Sequence, residues 1–208
     1  MKRNVCGTAV LALCLLLLAS AALAQGNYEI VIDGKTQEIE LGNQYSGQTA
    51  SGGNFSFTVR KKAQMTYADD LLSFDHPGDK VVTESRLDKD LVQLMCNSAN
   101  GSLYMIQEYT SMDPSMLVPL MLNELVKEQV NYGYSIDKQQ TTRTTANGKK
   151  LSGTRATARY NSEEMYYEVL SYGSKDRGLI LVSAIDKSFL EQDQAFLDLM
   201  WNTLKINF

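Results

Sequence analysis

Seven consecutive residues, Leu179-Ile180-Leu181-Val182-Ser183-Ala184-Ile185, are apolar in both alternations. Side chains of a strand alternate between two faces, so a stretch that is apolar on both must be covered above and below. It predicts a central strand between two packed layers. The segments around it are short and closely spaced. Phe55 to Val59, Leu71 to Phe74, Lys80 to Ser85, Leu91 to Cys96 and Leu103 to Tyr109 are divided by Pro77-Gly78, Asp88-Lys89-Asp90 and Asn100-Gly101. Connections of a few residues cannot carry a parallel crossover, so these strands are expected to form an antiparallel meander. A second set follows the same rule: Ile136 to Thr145, the Asn147-Gly148 turn, Lys150 to Tyr160, Glu163 to Tyr172 and Leu179 to Ile185.

Two helices supply the covering layers. Asp113-Pro114 offers a cap and a first-turn proline, and Val118, Leu122, Leu125, Val126 and Val130 fall on one side of a helix running to Tyr132 and stopped by Gly133. Pro119 lacks an N–H, which predicts a kink or a helix start near it. The second helix begins at a capping-box pattern, Ser188-Phe189-Leu190-Glu191, and carries a stripe of Phe196, Leu199, Met200 and Thr203 widened by Leu197, Trp201 and Leu204. Thr154, Ala156 and Ala158 make one strand face small enough for close helix approach. No strand-helix-strand unit repeats. The fold class is therefore α+β, a large antiparallel β-sheet flanked by two main helices, with an N-terminal β-hairpin.

That hairpin is read at Tyr28 to Leu41 around Asp33-Gly34, and the polar stretch Gly42 to Asn54 after it is read as a loop or linker. Upstream, Met1 to Asn4 is basic, Val10 to Leu18 is apolar, and Ala22-Leu23-Ala24 precedes Gln25 with the spacing that signal peptidase cuts. The expected organisation is a cleaved signal peptide at 1–24, a hairpin and linker at 25–53, and an α+β domain at 54–208. A secreted or periplasmic protein follows, without an integral span once the leader is gone. Cleavage removes Lys2 and Arg3 and no acid, so 20 basic and 24 acidic residues become 18 and 24. A chain that acidic, without a long basic run, has no footprint for nucleic acid.

The order of a meander opening near Leu72-Ser73-Phe74-Asp75-His76-Pro77, a mid-chain helix, a second meander containing Tyr166 to Leu170 and Leu179 to Ile185, and a final helix ending Leu204-Lys205-Ile206 resembles the PsbP and Mog group. The likeness spans roughly 54 to 208. It implies an α/β/α sandwich and action by docking to other proteins, with no catalytic motif to carry over.

Chemistry-bearing patterns are sparse. There is no G-x-S-x-G, H-E-x-x-H, Walker loop or paired C-x-x-C, and no cofactor motif. Once the leader is removed, Cys96 is the single cysteine; it shares a strand face with Val92 and Leu94, either as a buried hydrophobe or as a nucleophile or intermolecular bridge. His76, the lone histidine, is placed in a turn beside Pro77, with Asp75 or Asp79 as conceivable partners. Asp69-Asp70 and Glu163-Glu164 are either solvated turn residues or candidates for cation binding and acid–base work. Tyrosines are abundant in the middle of the domain, and Tyr160, Tyr166 and Tyr172 are taken as candidate contact residues. Two functions remain open: an exported non-enzymatic module docking to an envelope or extracellular protein, or a hydrolase or small-ligand-binding protein with an unrecognised site.

Overall fold

The computed structural model describes residues 28–32, 34–49 and 51–208. The leader assignment at 1–24 and Asp33 of the expected turn lie outside those residues. Two compact units divide at Arg60 and Lys61.

In the first unit, β1 (Tyr28–Ile32) pairs antiparallel with β2 (Lys35–Ile39), and Gly34 takes a φ of 76°, a left-handed turn conformation open to glycine. The stretch expected to be a linker instead contains β3 (Gln44–Gln48), which pairs with β4 (Asn54–Thr58). Its polar composition concealed an alternation, because Tyr45 sits opposite Phe57 and their rings stack at 5.7 Å. Gly47 faces Phe55, whose ring would stand 2.8 Å from an added Cβ. Because the hydrogen-bond partner of β4 is β3, the boundary falls after Arg60 and not before Asn54.

The second unit is built on seven antiparallel strands. In chain order these are β7 (Thr83–Asp88), β8 (Leu91–Asn97), β9 (Leu103–Tyr109), β10 (Ser135–Thr144), β11 (Lys150–Tyr160), β12 (Glu163–Ser174) and β13 (Arg177–Asp186). Their spatial order is β10-β11-β12-β13-β9-β8-β7. The stretch that is apolar on both faces thus lies in the middle strand, where each neighbour and each face is occupied. The architecture is α+β, as its element order predicts.

The two faces are covered by different helices. On one side α1 (Val118–Leu125) packs Val118 and Leu122 against Ala156, Ala158, Val169, Ile180 and Val182. On the other, α3 (Leu190–Thr203) sets Phe196, Leu197, Met200 and Trp201 against Leu94, Tyr104, Leu151, Leu170 and Leu181. Among the described residues, no helix is long and apolar enough to cross a membrane.

Several local expectations are corrected. The helix read from Asp113 to Tyr132 is a 3-10 turn at Ser115–Leu117, then α1 with Pro119 in its first turn, then α2 (Lys127–Tyr132) after a break at Val126. Proline accounts for the late start, and Gly133 ends α2 in the left-handed conformation. Val130, placed on the apolar stripe, is exposed, because the break at Val126 turns α2 out of the original register. Ahead of the second helix, Asp186 caps a 3-10 turn at Lys187–Phe189, its carboxylate accepting from the Ser188 N–H at 2.8 Å and its hydroxyl at 2.6 Å, and α3 itself begins after Phe189 without a side-chain cap. With its hydroxyl donating to Asp186, Ser188 does not cap α3, and the capping box does not form.

The first meander is also smaller than expected. The segment at Leu72 belongs to β6 (Leu72–Pro77), which pairs with β5 (Gln64–Ala68) and with the C-terminal β14 (Lys205–Ile206) in a separate three-stranded sheet. Leu72 and Phe74 turn into the core with α3, and Thr203 Oγ1 accepts from the Asp75 N–H at 2.8 Å. The small sheet therefore lies beside α3 on the same side of the large one. His76 follows this alternation. It is buried in β6, not exposed in a turn, with Nδ1 3.0 Å from the Pro77 carbonyl oxygen.

Candidate functional site

Strand register alone assembles the most unusual polar cluster. On the α3 side of the large sheet, Glu84, Leu94, Ile106 and Leu181 form one cross-strand row, and Arg86, Val92, Glu108 and Leu179 form the next. Apolar residues fill most of these rows, so Glu108 sits among core positions. It is 5% exposed. The small sheet overhangs this corner: Tyr67 of β5 donates its hydroxyl to Glu84 at 3.1 Å and stacks on Phe74 at 5.4 Å. In the turn leading to β6, Asp69 Oδ1 accepts the backbone N–H groups of Leu71 at 2.7 Å and Leu72 at 2.9 Å, which fixes that carboxylate. Together these residues line a cleft of about 420 Å³ that also includes Asp70, Thr110 and Arg177.

Its electrostatics follow from crowding. Burial, then the hydrogen bond and charge of Asp69, then the charge of Glu84, raise Glu108 to about 8. Burial and the same two carboxylates push the Tyr67 hydroxyl far above its ordinary value. Glu108 Oε1 and Asp69 Oδ2 are both buried without a donor. At neutral pH Glu108 therefore keeps its proton, which relieves its repulsion with Asp69.

Both paired acids Asp69 and Asp70 line this cleft, Asp69 half-buried and Asp70 exposed at its rim. Glu163 and Glu164 have separate partners. Glu163 accepts from the Tyr134 hydroxyl, and Glu164 accepts from Lys187 Nζ at 2.7 Å and Arg159 Nε at 3.0 Å.

The thiol and imidazole are placed structurally. Cys96 faces the α3 core, where burial raises its thiol to about 11, the opposite of what a nucleophile needs. Asp75 accepts from Gln64 at 2.7 Å and Thr66 at 2.6 Å, and it alternates with His76 on β6, so the two point apart. Among the described residues, no group of three or more His, Cys, Asp or Glu side chains is placed to hold a metal ion.

The candidate tyrosines are dispersed. Tyr160 meets Tyr132 and Tyr134 at ring separations of 5.6 and 5.3 Å, an aromatic corner where Tyr132 is 73% exposed. Tyr166 lines a smaller cleft of about 200 Å³ with Trp201 and the ion pair of Arg143 and Glu168, 2.5 Å apart. Tyr172 packs on Phe208 at 5.5 Å beneath Lys149. Sharing a strand did not give Tyr166 and Tyr172 one surface.

Sequence reading missed Glu108, Glu84, Tyr67 and Arg177. A signal existed for one: Glu108 follows Tyr104 and Ile106 in strict alternation, so a strand in this register had to bury a carboxyl.

Geometry defines a layered α+β protein with an acidic cleft and an aromatic corner. No family model and no curated protein matches the chain. A solved structure from Bacteroides thetaiotaomicron VPI-5482 is similar at a TM-score of 0.37 and 10% identity, covering 68% of this chain and 47% of that one. The chain therefore spans about half the length of that neighbour, and a likeness so distant carries no argument.

Proposed function

We propose that this chain is a non-enzymatic docking module, exported behind its leader, that meets another protein of the envelope or extracellular space through its aromatic corner. The supporting observation is the cluster of Tyr132, Tyr134 and Tyr160 at a helix end and two strands, in which the Tyr132 and Tyr160 rings are exposed. Such rings provide contact area at small entropy cost. The element order supports placing the chain near the PsbP and Mog group, whose known action is docking.

The test uses the full chain produced in its own cell, with a photo-crosslinking residue in place of Tyr132 or, as a control, of the exposed Gln139. One discrete adduct with a second polypeptide from position 132, absent from 139 and lost on Tyr160→Ala, supports the reading. Equal labelling from both positions, or none, overturns it. N-terminal sequencing of the exported chain tests the leader separately, with a start near residue 25 expected.

A further inference from the structure

We propose that a proton held between the carboxyls of Glu108 and Asp69 clasps the small sheet to the β7–β9 corner, and that its loss opens the cleft between the two sheets. The device is a pH-gated joint, and it does not depend on the aromatic corner.

The joint lies where two sheet edges meet. β5 is an edge strand of the small sheet and pairs only with β6, while β7 is an edge strand of the large sheet and pairs only with β8. Most of β5 and all of β7 are exposed, and the register of β7 on β8 shifts between Arg86 and Asp88. Each strand is thus held from one side alone. β6, by contrast, is fixed, because Leu72 and Phe74 lie in the α3 core. Two polar contacts span the cleft: the Tyr67 hydroxyl on Glu84, and Asp69 on Glu108.

The second contact requires a proton. Asp69 Oδ1 takes the N–H groups of Leu71 and Leu72, but its Oδ2 is buried without a donor, and so is Glu108 Oε1. Tyr67 has one hydroxyl proton and gives it to Glu84. Two carboxylates cannot bond to each other, whereas a carboxyl donates to a carboxylate and one bond then serves both oxygens. Glu108 is the donor: it is almost wholly buried, while two backbone N–H groups favour the charged form of Asp69.

No counter-charge takes the place of that proton. The charged or titratable groups facing Glu108 across the cleft are Tyr67 from β5, Asp69 and Asp70 from the turn, Glu84 and Arg86 from β7, and Arg177 from β13; β8 contributes only Val92, and α3 none. Arg86 donates to the Lys89 carbonyl and Arg177 lies beside Asp176, so among the described residues neither cation is bonded to the acids. With Glu108 ionised, three carboxylates share one hydroxyl proton, and parting the two edges to admit water relieves the repulsion. The closed joint holds its proton up to about 8 and the opened one only to the ordinary 4.5, so the clasp is complete below 4.5 and is lost as pH rises to 8. The opening constant should therefore rise about seventyfold from pH 5.5 to 7.5.

The experiment is thiol labelling of the full chain carrying Val92→Cys, a substitution on the cleft wall, with N-ethylmaleimide at both pH values. Rates are divided by that of a free thiol at the same pH, and peptide mapping separates the introduced thiol from Cys96, whose burial in the α3 core makes it the monitor of whole-domain opening. The normalised rate at position 92 is expected to rise by up to about seventyfold while Cys96 stays unlabelled. Adding Glu108→Gln should flatten that rise, since the amide donates to Asp69 at every pH. Adding Asp69→Asn should flatten it as well, because the asparagine keeps an oxygen for Leu71 and Leu72 and offers its amide to Glu108. A rise of less than tenfold, an undiminished rise in either amide variant, or labelling of Cys96 in step with position 92 overturns the proposal.

Discussion

The two faces of the seven-stranded sheet solve the same covering problem differently. Against α1 the sheet presents Ala156, Ala158, Val169, Ile180 and Val182, small and aliphatic, with Met105 and Tyr167 as the larger buried side chains of that layer. Against α3 it presents Leu94, Tyr104, Leu151 and Leu181, and aromatic rings interlock, with Tyr104 5.1 Å from Trp201 and 5.8 Å from Phe74. The bulkier face also carries the buried acids. Asp193 accepts from Ser98 at 2.5 Å, Ser102 at 2.7 Å and Asn100 at 3.4 Å; burial alone would raise it, but these donors hold it below the usual carboxylate range. Glu168 and Glu108 lie on that face as well. Side chains of unequal size leave gaps, and gaps beside a half-covering layer of helix and small sheet are where clefts arise. The α1 face has a cleft too, of about 440 Å³, but it lies at the margin where Asn123, Val126, Lys127 and Val130 meet Ile136 and Lys138, and it holds no buried carboxyl.

Substitutions sharpen the contrast. The largest effect is expected from Trp201→Ala, which removes the ring that Tyr104 and Arg143 pack on and should lower unfolding free energy by about 4 kcal/mol. Leu122→Ala on the other face should cost nearer 2 to 3 kcal/mol. Chemical denaturation of both variants checks the order, and equal losses would remove the asymmetry.

Next comes Glu108→Gln. The folded carboxyl titrates at about 8 against an ordinary 4.5, so the folded state holds the proton more tightly than the unfolded state. Its stabilising contribution is complete below pH 4.5 and is lost as pH rises to 8. The wild-type chain should therefore lose on the order of 3–4 kcal/mol across that window, and the glutamine variant should not. Unfolding curves at pH 4.5, 6.5 and 8.5 decide it; parallel pH dependence in the two chains would contradict the raised Glu108 carboxyl.

The smallest effect is expected from Ala158→Leu, about 2 kcal/mol, because the added carbons must push α1 from the sheet. Melting by circular dichroism reads the change. A neutral result would show that the α1 face has slack.

The order of strands and helices was legible because alternation and turn chemistry are local. Leu179 to Ile185 announced the middle strand, Ala156 and Ala158 announced a close helix, and Asn147-Gly148 announced a hairpin. Places where the reading failed share one cause. Polar β3 gained its strand character from Phe55 and Phe57 across the hairpin, and His76 gained burial from the pairing of β6 with β5 and its packing under α3.

Local periodicity determined which faces of each element are apolar, since that pattern is fixed by backbone geometry and residue type. It determined the α+β class with it. Tertiary structure alone decided that Tyr67, Asp69, Glu84 and Glu108 meet. They come from β5, a turn, β7 and β9, and a carboxyl acquires its altered proton affinity only from neighbours that the chain brings together by folding.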